Sequence, residues 1–317
     1  MPHLKTLLAL VPAVLLSLPL YASSARAGEG KNAAPFFFMG DGKVHIIDMH
    51  TGKEVQADLL TPDGKFNEEG FTKVDEVFGF PTREMGEHIS PRLLFMLDYF
   101  SDLVAPGKPI EMVSGYRSPG YNENLRGKGA NAAKTSLHMD GMALDFHIAG
   151  VNGKALWEVV KSMDCGGVGW YGGENIHLDS GRPRFWEAST SKVLTGESDY
   201  NRRIYLSTDY DRYGAGDEVR LSLVSVSDFG FGVKPLANFV DEAAGRSIAA
   251  PLQVEDRTDS ECIMINDRRS AHFIRTIAPP QFGAGKCRVR LEFCRRPFEE
   301  MPESTLSNVI EVLGKTR

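Results

Sequence analysis

Cysteine is scarce in this chain, with four residues in 317, too few for a disulfide-dense scaffold. The four, Cys165, Cys262, Cys287 and Cys294, do not form two C-x-x-C knuckles, which argues against a structural zinc–thiolate site. There is no excess of positive charge: 36 Lys and Arg against 42 Asp and Glu give a net charge of −6, and nothing global points to nucleic acid. No internal repeat and no low-complexity tract is found, which excludes a solenoid or a largely disordered chain. Long apolar runs are absent beyond the first residues.

That first run is informative. His3 and Lys5 precede an apolar stretch from Leu7 to Ala22, and Ala25-Arg26-Ala27 follows. A basic start, an apolar centre and a small-x-small end make a secretory signal peptide, with cleavage expected after Ala27. Pro12 and Pro19 interrupt the run, so an uncleaved anchor is the weaker reading. Cleavage takes the net charge from −6 to −8, because Lys5 and Arg26 leave with no acid. The expected location is secreted or periplasmic, where cysteines can pair.

The mature chain reads as two domains, 28–190 and 191–317. The first opens with apolar segments Phe36–Phe38 and Val44–Asp48 around Gly40-Asp41-Gly42, a hairpin signal. Further turns are expected at His50–Lys53 and Pro62–Gly64. A helix is expected over Glu68–Val77, and another from the Ser90-Pro91 cap to near Pro106-Gly107, carrying Leu93, Leu94, Met96, Leu97, Phe100 and Leu103 on one stripe. A third is expected over Gly153–Met163. Beyond residue 190 alternating strands such as Val219–Leu223 and Cys287–Phe293 predict an all-β, sandwich-type domain. A helical pattern returns only in the last dozen residues.

Polar chemistry gathers in three clusters: Ser114-Gly-Tyr116-Arg117, Ser136-Leu-His138-Met-Asp-Gly141-Met-Ala-Leu-Asp145, and Glu174-Asn-Ile-His177-Leu-Asp179. Two imidazoles and one carboxylate make a three-ligand zinc set with an open fourth position, as catalysis requires. A turn at Gly141 would bring His138 and Asp145 to one metal. Glu174 stands three residues before His177 and is a candidate general base, with Asp179 as the rival carboxylate. Arg117 offers a fixed positive fork for a carboxylate or an oxyanion. His147, two residues after Asp145 on a strand, shares its face and is a further candidate.

Together these clusters resemble the M15 group of zinc D-Ala-D-Ala carboxypeptidases and murein endopeptidases, with its S-G-Y-R, S-x-H-x-x-G-x-A-x-D and E-x-x-H motifs. Gly40–Gly42, His50–Gly52, Pro91–Leu94, Gly166–Tyr171 and His177–Arg182 are similar to the exported DUF882 (YcbK-like) branch. The resemblance spans roughly residues 36–186 and leaves the second domain aside. It implies an α+β fold of the hedgehog/DD-peptidase type and Zn2+ held by His138, Asp145 and His177. It further implies Glu174 as base, Arg117 polarising the scissile carbonyl, and Ser136 and Tyr116 beside the substrate. The implied activity is hydrolysis of peptidoglycan stem peptides or their cross-links, with endopeptidase favoured over D,D-carboxypeptidase. A non-catalytic wall- or partner-binding module on the same fold is the alternative.

The second domain carries one charged stretch. From Glu261 to Arg296 eight basic residues face three acids, and Arg288 and Arg290 share a strand face. This suggests a docking face for anionic wall polymer or a protein, against the plainer reading of a solvated strand. Strand parity puts Cys287 inward with Val289 and Cys294 outward, which favours a Cys262–Cys287 disulfide, then Cys262–Cys294.

Overall fold

A computed structural model describes residues 34–130, 132–191, 199–255, 257 and 261–314. The segment read as a signal peptide lies outside them. No helix among the described residues is long and apolar enough to cross a membrane.

Strands β1 (Lys43–Asp48), β2 (Glu54–Asp58), β3 (Ile110–Ser114), β4 (Ala143–His147), β5 (Gly167–Gly172), β6 (Asn175–Asp179) and β7 (Arg184–Glu187) form one sheet. Its order is β2-β1-β3-β4-β6-β5-β7. Neighbours are antiparallel except at β1–β3 and β5–β7. The expected hairpin around Gly40–Gly42 does not form. Phe36–Phe38 bend, because Phe36 is drawn into the core and stacks on Phe95 at 5.1 Å. The Gly40 and Gly42 N–H groups donate to Asp98 Oδ2 at 3.0 and 2.9 Å. The partner of β1 is instead β2, across the turn at His50–Lys53.

The helices start where side chains can cap them. Asn67 accepts from the Gly70 N–H at the start of α1 (Glu68–Phe78), which stops at left-handed Gly79. A short α2 (Thr82–Met85) precedes α3 (Pro91–Val104), whose Ser90 cap accepts from Leu93 N–H. Helix α4 (Pro119–Gly127) follows Ser118, and Asn152 caps α5 (Gly153–Met163). The stripe on α3 widens to bury Leu93, Leu94, Phe95, Met96, Leu97 and Phe100, while Leu103 is left exposed. Truncating Phe95 to Ala would cost about 3–5 kcal/mol, the usual price of an emptied aromatic site.

A second apolar core begins at Ile204 and includes Leu221, Phe231, Phe239, Val289 and Leu291. It is shared by two sheets. One holds β8 (Tyr205–Thr208), β10 (Glu218–Val224) and the strands at 274–277 and 253–254; the other holds β9 (Arg212–Gly214), β11 (Phe231–Asp241) and the strands at 246–251, 285–295 and 310–313. In place of the helical pattern expected in the last dozen residues, Ile310–Leu313 form a strand, because Ile310 and Val312 alternate into this core.

The two cores interlock within one compact unit, Ala34–Arg317. Buried Arg92 of α3 pairs with Asp211 at 2.9 Å and donates to the Ser180 and Cys165 carbonyls. Largely covered Glu87 meets Arg220, Arg268 and His272. Burial alone would raise its carboxyl, but His272 and the two arginines hold it down to about 2. Leu137, Met142 and Ala143 pack on Tyr205 and Val224 as a small apolar joint.

The disulfide joins Cys262 to Cys294. Inward-facing Cys287 is a buried thiol, as is Cys165. The bridge passes over Gly232, where an added Cβ would lie 2.5 Å from Cys262 Sγ and 3.1 Å from Cys294 Sγ. The basic stretch is not a free cationic face. Arg268, Arg269, Arg275, Arg290 and Arg296 pair with Glu87, Glu255, Glu218, Glu292 and Glu303, and Arg288 donates to the Ser307 carbonyl.

Candidate metal centre and cleft

Three adjacent strands set the site. In the β4–β6–β5 register Asp145 lies opposite His177, which lies opposite Gly169. His138 comes from the loop before β4, turned at Gly141 with φ +66°. His138, Asp145 and His177 are all buried, and one donor atom from each lies within 4.8 Å of the others.

The hydrogen bonds fix which ring atoms face inward. His138 Nδ1 donates to the Gly115 carbonyl at 2.7 Å, since a carbonyl can only accept. Nε2 is thereby left toward Asp145 Oδ2, 3.4 Å away. His177 Nδ1 lies 2.8 Å from Asp145 Oδ1, and its Nε2 lies 2.8 Å from Asp179 Oδ2. Burial depresses His138 basicity, with Asp145 opposing it. Burial also disfavours charge on His177, but Asp145 and Asp179 together raise it above its ordinary value. Against the cost of burial, His138 and His177 hold the Asp145 carboxyl well below the usual range.

The trio therefore suits a divalent metal of borderline softness. It offers two imidazoles and one carboxylate, and each imidazole is oriented by a partner on its other nitrogen. These donors lie beneath a cleft of about 410 Å3 lined by His138, His177, Arg117 and Ser136 among others.

Arg117 spans the edge of the site. Its Nη2 donates to Asp145 Oδ2 at 2.5 Å and its Nε to Ser114 Oγ at 3.0 Å. Ser136 lines the cleft wall. Tyr116 does not reach it: the ring packs edge-on against Phe80 at 5.2 Å. Glu174 is not brought to the trio either. It sits at the β5–β6 turn, and its Oε1 accepts from the Gly150 N–H at 3.0 Å. Glu174 precedes β6, whereas Asp179, two residues after His177 on the strand, shares its face.

Asp179 is thus the carboxylate beside His177. It is fully buried and clamped by Arg184 at 2.6 Å, with the Gly167 and Gly181 N–H groups on its other oxygen. His147 shares the Asp145 face but is engaged by Glu111 on β3 at 2.5 Å.

Several cleft residues lie outside the three polar clusters. Trp186 of β7 lies 5.0 Å from the His177 ring. An added Cβ at Gly169 would strike its indole at 2.4 Å, so the glycine makes room for it. The Gly167-Val-Gly169 pattern on a strand is the signal that a large neighbour covers that face. Tyr171 reaches the site and its hydroxyl donates to Asp145 Oδ1 at 3.2 Å. Its neighbour Trp170 instead donates to the Gly173 carbonyl and stacks under Lys154. Arg182, Arg184, Arg203, Tyr205 and Val224 also line the cleft; the last three come from sequence too distant for any short motif to include.

Comparison with known proteins shows the family of this stretch. The sequence profile described as peptidoglycan L,D-endopeptidase MepK matches residues 40–186. The protein of that name from Escherichia coli (strain K12) is 34% identical over 142 residues, covering 44% of this chain and 78% of that protein. The probable peptidoglycan L,D-endopeptidase MepK of Haemophilus influenzae is 42% identical over 79 residues, 25% of this chain and 42% of that protein. No solved structure matches the chain. On the extent of the Escherichia coli match, this chain belongs to the MepK family of M15-type murein peptidases.

Proposed function

We propose that this protein is a zinc-dependent endopeptidase that hydrolyses amide bonds in cross-linked peptidoglycan stem peptides. One observation carries the reading: the buried, mutually oriented set His138, Asp145 and His177 beneath an open cleft. Family membership supports the same substrate, and the relatives' printed activity, L,D-endopeptidase, favours cross-link cleavage over removal of a terminal residue. The α+β architecture with its mixed sheet is compatible with a fold of the hedgehog/DD-peptidase type. A signal peptide ending at Ala27 would deliver the chain to the wall. Residues 28–190 would form the peptidase domain, and the β-rich remainder from 191 onward would serve as an accessory.

His138 Nε2, Asp145 and His177 Nδ1 would hold the zinc. Bound there, zinc supplies Lewis acidity, polarising an amide carbonyl and acidifying water. The remaining work falls to the chain. Gly115 holds His138 by its Nδ1 proton, and Asp179 holds His177 by its Nε2 proton, so each ring presents one lone pair in a fixed direction. Asp179 is a positioning residue, kept ionised by Arg184 against the cost of burial. Arg117 faces the cleft and is the positive group that can stabilise negative charge developing on the scissile carbonyl oxygen. Tyr171 and Trp186 flank His177 and exclude water from that side.

The test is digestion of purified cross-linked muropeptides, read by mass. Conversion of dimers to monomers, lost in His138→Ala, is the expected result. Release of single terminal residues alone would make the protein a carboxypeptidase. Intact muropeptides after exposure to the zinc-loaded protein would favour a binding module.

A further inference from the structure

The cleft has an unusual charge balance. Four arginines line it, Arg117, Arg182, Arg184 and Arg203, and no aspartate or glutamate is among its described lining residues. Three of the four are satisfied from beneath: Arg117 by Asp145, Arg184 by Asp179, and Arg203 loosely by Asp199 at 3.4 Å. Arg182 has no ion-pair partner among the described residues, and its carbonyl rather than its guanidinium is engaged, accepting from Arg184. The Arg203 side chain is 58% exposed. Arg182 and Arg203, both exposed, thus add two solvated guanidinium groups to the cleft lining, the second only loosely held by Asp199.

The source of these groups matters. Arg182 follows β6 and lies inside the stretch that matches the family. Arg203 lies outside it, just before β8, and Tyr205 and Val224 beside it belong to the second core's sheet. The β-rich part is therefore a wall of the cleft, fixed there by the apolar joint of Tyr205 and Val224 with Leu137 and Met142.

We propose that Arg182 and Arg203 form an anion subsite that takes a free carboxylate of the peptide substrate, so that the second, β-rich part of the chain selects substrate. The inference rests on the peptidase reading above. Guanidinium forks match carboxylates in geometry and charge, and two of them across a partly enclosed cleft bind one far better than either does in open water. Stem peptides carry such carboxylates at chain ends and acidic side chains. Replacing the carboxylate by a carboxamide keeps the shape and removes the charge.

The test uses the full-length protein and two matched muropeptides that differ only in one group, free acid or carboxamide. The expected result is a kcat/KM about tenfold higher for the free acid, carried mainly in KM. Arg203→Gln and Arg182→Gln should each abolish that preference by slowing the acid form about tenfold while leaving the amide form unchanged. Both residues are exposed, so neither change threatens the fold. Equal losses on both peptides, or no loss on either, would overturn the subsite. Calorimetric binding of the same pair gives a readout independent of turnover. If neither peptide is cleaved but the acid form binds tighter and Arg203→Gln erases the difference, the subsite stands and the peptidase reading fails. Equal binding of the two forms overturns the subsite.

Discussion

Asp179 Oδ2 lies 2.8 Å from His177 Nε2, two residues away on the same strand face. The contact locks the imidazole so that its other nitrogen points at Asp145. Asp179→Asn cannot accept that proton with a full charge and leaves Arg184 unpaired. Zinc affinity should fall about 10–100-fold, the usual cost of removing such a partner. Competition against a chromogenic chelator measures it, and an unchanged affinity would remove Asp179 from the site.

Glu174 makes the opposite prediction. Its carboxylate caps the Gly150 N–H at a hairpin turn and does not share the His177 face. Glu174→Gln keeps an acceptor there, so kcat on a cross-linked muropeptide should stay within about twofold of the parent. General base catalysis is commonly worth about 10²–10⁴-fold, so a loss on that scale would restore Glu174 to the chemistry.

The trio His138, Asp145 and His177 was legible because its residue types and motifs are close in sequence and their strands are neighbours. Helix α3 was legible through its Ser90 cap and its apolar stripe. Where the Glu174 carboxylate points was less legible, because the turn that carries it decides this. Glu174 lies one residue before β6, and its carboxylate turns to the Gly150 N–H. Parity placed Cys287 correctly in the core but not its pairing, because the disulfide forms where Gly232 admits two sulfurs. Trp186 and Arg203 were invisible because tertiary packing alone brings them to the cleft.

Asp98 supplies a pH test away from the metal donors. Burial pushes its carboxyl up to about 7, with the charges of Asp102 and Asp41 adding to the effect. The folded state keeps a proton that the unfolded chain has lost above about pH 4, so this contribution is full below that pH and is lost as pH rises through 7. Asp98→Asn retains an acceptor for the Gly40 and Gly42 N–H groups. Its stability relative to the parent should therefore improve with pH, by up to about 1.4 kcal/mol per unit between pH 4 and 7. Urea unfolding at pH 5 and pH 7.5 decides this; a difference that does not vary with pH would refute the account.

The cysteines give a chemical test. Cys262–Cys294 closes a loop of sequence separation 32, and loop-entropy arguments give such a bridge about 3–4 kcal/mol. Reduction should lower the melting temperature by several degrees. Cys165 and Cys287 are buried, with burial pushing each thiol up to about 12. Alkylation without reductant should label neither in the native protein and both after denaturation. Labelling of Cys262 or Cys294 under those conditions would contradict the pairing.

Elemental analysis of the purified full-length protein after zinc loading and dialysis decides whether His138, Asp145 and His177 form one metal site. About one zinc per chain is expected in the parent and almost none in a folded His138→Ala variant. A variant that retains stoichiometric zinc, or a parent that binds none, would contradict it.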